Sequence, residues 1–242
     1  MLDAQGAVSL RFPVLEIVDP VDIDKPAEII GRLGDFEIAI FISANAVYKT
    51  IELNHSGCLL PDSLKIAAIG RSTAQALKRS GIRVDLCPHS RFDSEALLEL
   101  PEMQKDAVNG RRIVIFRGEG GRETLGDILQ ARGAEVEYAE VYRRQKPNAN
   151  LGGLINAELS LDIILVTSNE GLQNLYDLAG PSGRQWLIGR QLVVPSERCA
   201  QLAKALNFEH DAIIAENASD ESMLQAVLQW RKEQSIEPMD NA

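Results

Sequence analysis

The chain has 242 residues, 45% hydrophobic, 25% charged and 5% aromatic, with a formal net charge of −10. Such a composition can bury a core and argues against disorder, and the acidic balance argues against a basic nucleic-acid footprint. No apolar run approaches the roughly 20 residues of a membrane helix, and the opening MLDAQGAVSL lacks the charged and apolar regions of a signal peptide.

Cys58, Cys87 and Cys199 are odd in number and far apart, which suits free thiols in a reducing cytoplasm rather than a disulfide framework. His55, His89 and His210 lack metal-ligand spacing relative to each other or to cysteine, so a zinc site is not expected. Length alone allows one large domain or two small ones.

Taken in chain order, Ser9–Val18 is extended and leads into the connector DPVDIDKP. Strands follow at Ile38–Ile42, Leu64–Ile69, Arg83–Leu86, Arg112–Phe116, Glu135–Tyr142, Ile163–Thr167, Leu192–Pro195 and Ala212–Ala215. Helical spacing lies between them. Ser72-Thr73-Ala74-Gln75 reads as a capping box opening a helix that carries Leu77 and stops at Gly81. Leu125, Ile128 and Leu129 share a face of another helix that stops at Gly133. The extended stretch Glu135–Arg144 leads into a second connector, QKPNANLGG. Strands alternating with helices predict parallel sheets covered on both faces, an α/β fold.

The chain also resembles itself. FISANAVYKTIEL from Phe41 matches VTSNEGLQNLYDL from Val166, with Ser43 on Ser168 at an offset of 125. The same offset pairs AIGRSTAQALK with VVPSERCAQLAK, and DSEALLEL from Asp93 matches DESMLQAV from Asp220. Any two α/β segments share some apolar pattern, but three blocks in one order favour duplication. Two similar lobes are therefore expected, each a parallel sheet flanked by helices, joined by a two-stranded linker with a cleft beside it. The expected divisions are 1–8 as a helix remnant, 9–20 and 135–149 as linker strands, 21–134 and 150–234 as lobes, and 235–242 as a flexible tail. Acids outnumber bases in the last stretch, from Glu209 onward, which reads as a solvated face.

The most distinctive segment is IVIFRGEGGRETL, where a strand ends, Gly118, Gly120 and Gly121 follow, and a helix begins near Arg122. Outward-pointing amides at a helix start favour anions, and Arg117 and Arg122 add charged donors. A carboxylate or phosphate site and a plain tight turn with solvated arginines both remain open. Glu123 stands where a dinucleotide fingerprint would have its third glycine, so a nucleotide-dependent enzyme is a weak reading. The turns at Ser43-Ala44-Asn45, Gly70-Arg71-Ser72-Thr73, Thr167-Ser168-Asn169 and Ser196-Glu197-Arg198 follow strands, where open parallel sheets bind ligands. Each is equally an ordinary helix cap. No nucleophile motif is present, so catalysis here would rest on positioning and electrostatics. Tyr142, followed by Arg143 and Arg144, is either a half-buried strand residue or a proton donor.

FISANAV, AAIGRSTAQAL, the D-S-E-A-L-L that follows, RGEGGRETL leading to ARGAEV, VYRR, VTSNEGLQNL and VVPSERCAQLA together resemble the uroporphyrinogen-III synthase family, from about Phe12 to Leu228. The resemblance implies two lobes and a cyclisation of the linear tetrapyrrole hydroxymethylbilane, with loss of water and inversion of the last pyrrole ring, to uroporphyrinogen III. It implies no cofactor, a cytoplasmic monomer without nucleic-acid or membrane partners, and the preceding pathway deaminase as a candidate partner. Tyr142 matches the linker tyrosine suspected of assisting hydroxyl departure. The amide-rich turns and the Arg117 loop then hold the substrate's acetates and propionates. Members of the family usually open with a further strand and helix, so MLDAQGA reads as that helix's last turn. The lobe after position 150 is then expected to expose a sheet edge and to be poorly stable. A non-catalytic bilobal binding or sensor domain is the alternative.

Overall fold

The coordinates are a computed structural model that describes residues 1–54, 60–89, 93–149, 151–152 and 161–236. His55, Cys58, Asn150 and the tail from 237 lie outside the described residues. Two compact units emerge: Ile17–Gln145 forms one, and Met1–Glu16 with Lys146–Ala242 forms the other.

In the first unit, β2 (Ile38–Phe41), β3 (Lys65–Ala68) and β4 (Arg112–Gly118) are apolar runs that fit a strand buried on both faces. With β1 (Glu16–Val18) and β5 (Glu135–Gln145) they form a sheet in the order β1-β5-β4-β2-β3. β2 pairs in parallel with β3 and with β4, and β4 with β5. Alternate residues then go to opposite faces. Ala39, Phe41, Ile66, Ala68, Val114 and Phe116 pack beneath α1 (Asp24–Gly31), α2 (Ala44–Leu53) and α3 (Arg71–Arg79). Ile38, Ile40, Ala67, Ile113 and Ile115 pack against α4 (Ser94–Leu98), α5 (Lys105–Val108) and α6 (Thr124–Ala131). The rings of Phe41 and Phe116 stack with centroids 4.7 Å apart, tying neighbouring strands together just below the edge where the turns begin.

The second unit is smaller. β6 (Ile163–Leu165), β7 (Gln191–Val194) and β8 (Ile213–Ile214) form a parallel sheet in that order, so β6 is an edge strand. Leu192 and Val194 face α7 (Asn169–Ile188) and α8 (Glu197–Ala205), while Val193 faces α9 (Asp220–Ile236). α7 bends at Gly180, whose φ of +62° is left-handed, directly before Pro181.

Three sequence expectations change. The strand at Arg83–Leu86 is a single bridge from Leu86 to Ala67, because the Asp85 carboxylate accepts the Ile66 amide that a ladder would have used. The capping box at Ser72 does not form: α3 already begins at Arg71 with Gly70 as its N-cap, so Ser72 and Thr73 lie inside the first turn. The helix placed near Arg122 begins at Thr124, after the glycine loop has run its course. None of the described helices is long and apolar enough to cross a membrane.

A forked ion pair ties α1 to β5, with Arg32 donating to both carboxylate oxygens of Glu137 at 3.2 and 2.6 Å. The Arg32 hydrogen bond holds the Glu137 carboxyl below its ordinary value, with burial opposing. A lowered folded-state value means the pair stabilises above the usual carboxyl range and is lost as pH falls through the lowered value. With side chains 34% and 42% exposed, the pair contributes about 0.2–1 kcal/mol. Glu137→Gln should therefore lower urea stability by that amount at pH 7, and the difference should shrink as pH falls below the ordinary carboxyl value of about 4.3 and vanish below the lowered one.

Candidate active site

The carboxyl ends of β2, β3, β4 and β5 fall at one edge of the five-stranded sheet, the side where parallel sheets present their ligand-binding turns. Beyond β2 the chain stays extended at Ser43 (φ −161°, ψ 159°) and then enters α2. The Ser43 hydroxyl oxygen accepts the Ala46 amide at 3.0 Å, which fixes its position as an N-cap. Beyond β4, the register against β5 slips between Arg117 and Gly118, so that Gly118 faces Tyr142.

That slip seats Tyr142 from three sides. A Cβ at Gly118 would lie 2.6 Å from a Tyr142 ring carbon, so only glycine leaves room for the ring. The Glu119 amide donates to the Tyr142 carbonyl at 2.8 Å. The Tyr142 hydroxyl lies 3.1 Å from the Ser43 hydroxyl, with either able to donate. The residue is 3% exposed, packed with Phe41 and Phe116. A phenol held this firmly and shielded from water can hydrogen-bond or protonate an oxygen in one defined direction.

The glycine loop is built differently from its sequence reading. Arg117, expected to receive an anion, is 5% exposed. Its guanidinium donates twice to one oxygen of Glu140, at 3.1 and 2.9 Å, and to the Arg122 carbonyl, and it lies 4.1 Å from the Tyr138 ring centre. Arg117 is therefore a structural cation that braces the loop from below. Glu119 is also engaged, accepting the Val21 amide. Gly120 takes a left-handed φ of +68°, which explains a glycine there. Arg122 and Gly120 are exposed and Gly121 half-buried, so they remain the loop's outward-facing members.

Gly70, Arg71 and Ser72 follow β3 at the same edge; Gly70 is buried, and Arg71 and Ser72 are exposed. Thr73 is 1% exposed. Asn45 is half-buried in the first turn of α2. Beside α3 lies a polar hollow of about 530 Å³ lined by Arg71, Gln75, Lys78, Cys87 and His89. Burial pushes the Cys87 thiol up, against the pull of Lys78 and Arg71. Sequence reading missed Lys78, though it stands two helical turns from Arg71 and so shares its face.

In the smaller unit, the turns after β6 and β7 repeat the first unit's caps. Ser168 (φ −162°, ψ 159°) accepts the Gly171 amide at 3.0 Å, and Ser196 accepts the Cys199 amide at 3.4 Å. Thr167 and Ser168 are exposed, Asn169 and Ser196 half-buried. An apolar cavity of about 330 Å³ lies along β6, with Phe12, Val14, Ile164, Val166, Leu175 and Trp186 among its walls. Among the described residues, no cluster of His, Cys, Asp and Glu is arranged to hold a metal ion.

The sequence model of a family described as "Uroporphyrinogen-III synthase HemD" matches residues 1–225. Uroporphyrinogen-III synthase of Escherichia coli (strain K12) is 36% identical over 228 residues, covering 92% of this chain and 91% of that protein. The enzyme of the same name from Salmonella typhimurium is 37% identical over 233 residues, covering 93% and 92%. Among solved structures, uroporphyrinogen-III synthetase from Helicobacter pylori 26695 is similar with a TM-score of 0.59 at 17% identity, covering 90% of this chain and 91% of that one. A mutant uroporphyrinogen III synthase from the extreme thermophile Thermus thermophilus gives 0.55 at 17%, covering 96% and 92%. At such identities the structural likeness speaks for the fold.

Gly118→Ala tests the seat. The added methyl must displace the Tyr142 ring or the β4 end, which should cost about 1–3 kcal/mol in urea unfolding. Gly120→Ala, where a Cβ meets nothing within 4 Å but φ is left-handed, should cost about 1 kcal/mol, from backbone strain alone.

Proposed function

The chain belongs to the uroporphyrinogen-III synthase family and carries that cyclising lyase activity of tetrapyrrole biosynthesis, and from this premise we propose how its residues perform it. Its substrate is the linear tetrapyrrole hydroxymethylbilane. The observation that supports our assignment most directly is the Tyr142 hydroxyl, held beside Ser43 at the carboxyl edge of the five-stranded sheet.

Breaking the bond between the hydroxymethyl carbon and its oxygen is the demanding step, because hydroxide is a poor leaving group. The adjacent pyrrole nitrogen pushes its electron pair toward that carbon while Tyr142 gives its proton to the departing oxygen, which leaves as water. The resulting azafulvene cation is attacked by the substituted carbon of the terminal ring, giving a spiro intermediate that reopens and recloses with that ring inverted. The protein's contribution is to hold the chain so that this carbon is the nearer nucleophile. Free in water, the unsubstituted carbon would close the ring instead, giving isomer I.

The substrate is a polyanion and so is the protein, at −10. Long-range attraction is therefore absent, and the carboxylates must be met by local donors. In the larger unit the exposed members of the proposed set are Arg71, Ser72, Gly120 and Arg122, with Asn45 and Gly121 half-buried. In the smaller unit Thr167 and Ser168 are exposed, with Asn169 and Ser196 half-buried. Amides and hydroxyls at helix starts suit carboxylates without concentrating cations. Scattered cysteines fit a reducing cytoplasm, and the family reading adds a monomer that takes its short-lived substrate from the preceding deaminase.

The test is to generate hydroxymethylbilane in situ from porphobilinogen and its deaminase, then oxidise and separate the porphyrin isomers. Isomer III should dominate with the native chain. Tyr142→Phe should lower turnover roughly 10²- to 10⁴-fold, as expected for loss of a positioned general acid, with stability lower by only about 1 kcal/mol. Near-native production of isomer III by that variant would refute the proton-donor assignment.

A further inference from the structure

Ser43 already has one fixed duty, since its oxygen accepts the Ala46 amide as the cap of α2. Its hydroxyl also lies 3.1 Å from that of Tyr142, across 99 positions of sequence. Only one proton can lie between the two oxygens. If Tyr142 donated, the Ser43 oxygen would accept twice, and the Ser43 proton would have no acceptor among the described residues. Each arrangement leaves one hydroxyl proton without an acceptor among the described residues; if Ser43 donates, that proton is the one on Tyr142, available to a ligand oxygen.

We infer that Ser43 is a positioning residue for the reaction: it donates to the Tyr142 oxygen and so turns the Tyr142 proton toward the substrate's departing hydroxyl. This rests on the proton-donor role proposed above for Tyr142. The balance is simple. The carbon–oxygen bond breaks, and its electron pair leaves with the oxygen, which takes the Tyr142 proton and departs as water. The pyrrole nitrogen's pair makes the new carbon–nitrogen double bond, leaving an azafulvene cation and a tyrosinate. When the closed macrocycle sheds a proton to restore its last pyrrole, that proton returns to the Tyr142 oxygen.

Between those two events the oxygen carries negative charge, and the bond from Ser43 becomes charge-assisted. An interaction that strengthens as charge develops lowers the barrier rather than tightening ground-state binding. Among the described residues, the same cap at Ser168 has no tyrosine hydroxyl among its hydrogen-bond partners, although the two turns share φ and ψ within a degree. The Ser43–Tyr142 pair is thus a feature of one repeat alone, and helix capping by itself does not account for it.

The experiment measures kcat and KM for isomer III formation in Ser43→Ala, Ser43→Thr, Tyr142→Phe and the Ser43→Ala/Tyr142→Phe double variant. Ser43→Ala should lower kcat ~10- to 100-fold with KM within about twofold, the range of a hydrogen bond to a charged group. Ser43→Thr, which keeps hydroxyl and cap, should recover most of that loss. In the Tyr142→Phe background the same Ser43→Ala change should have little effect, because the two act as a unit. Should loss of the cap unfold Ser43→Ala, Ser43→Gly removes the hydroxyl at a cost to the cap of only a few tenths of a kcal/mol. Native kcat in the Ser43 variants beside a crippled Tyr142→Phe would overturn the Ser43 role and leave that of Tyr142 standing. A full additional loss in the double variant would overturn it as well. A fully active Tyr142→Phe would remove the premise itself.

Discussion

Room for one aromatic ring at the end of β4 governs the larger unit. The Tyr142 ring fills the space that a side chain at Gly118 would take, and the strand register slips there so that the two residues face each other. Around that seat the Glu119 amide, the stacked Phe41 and Phe116, and the cap at Ser43 each remove one freedom from the phenol. A parallel sheet covered on both faces leaves polar chemistry only at its ends. A hydroxyl anchored on rigid strands there is better aimed than one carried on a loop.

Arg117 illustrates how charge near a site need not be charge for a ligand. Four arginines lie between Arg111 and Arg122, and the simplest reading makes them an anion trap. The most central one is instead inside the unit, bonded to Glu140 and laid over Tyr138. Tyr138 in turn donates to the Glu123 carbonyl and crowds Gly126, so the start of α6 is tied to β5 through this arginine and tyrosine. The cation thereby braces the loop that seats Tyr142.

The helix caps of the two units share a backbone form as well as a residue type. Ser43, Ser168 and Ser196 adopt nearly one conformation, φ between −161° and −165° and ψ near 159°, and each caps the helix that follows its strand. The repeats have nevertheless diverged. The larger unit carries β4 and β5, whose ends supply Gly118 and Tyr142, whereas the sheet of the smaller unit comprises β6, β7 and β8. The serine cap is thus common to both units, while the tyrosine hydroxyl beside it is found at Ser43 among the described residues.

Sequence alone determined the α/β class, the placement of most strands, the repeat at 125 positions and the family. These follow from apolar periodicity, glycine punctuation and residue order, all of which are local or read along the chain. It could single out Ser43, Gly118, Arg117 and Tyr142 as candidates, yet it assigned Ser72 to a cap and had no sign that Arg117 is buried against Glu140. It could not join Ser43 to Tyr142, or see that Gly118 is glycine on account of Tyr142 rather than of its own turn. Those relations depend on strand register and on which groups a buried neighbour has already satisfied. Such facts exist only after β2, β4 and β5 have come together, because a hydrogen bond or a ring contact is chosen by distance in space and not by position in the chain.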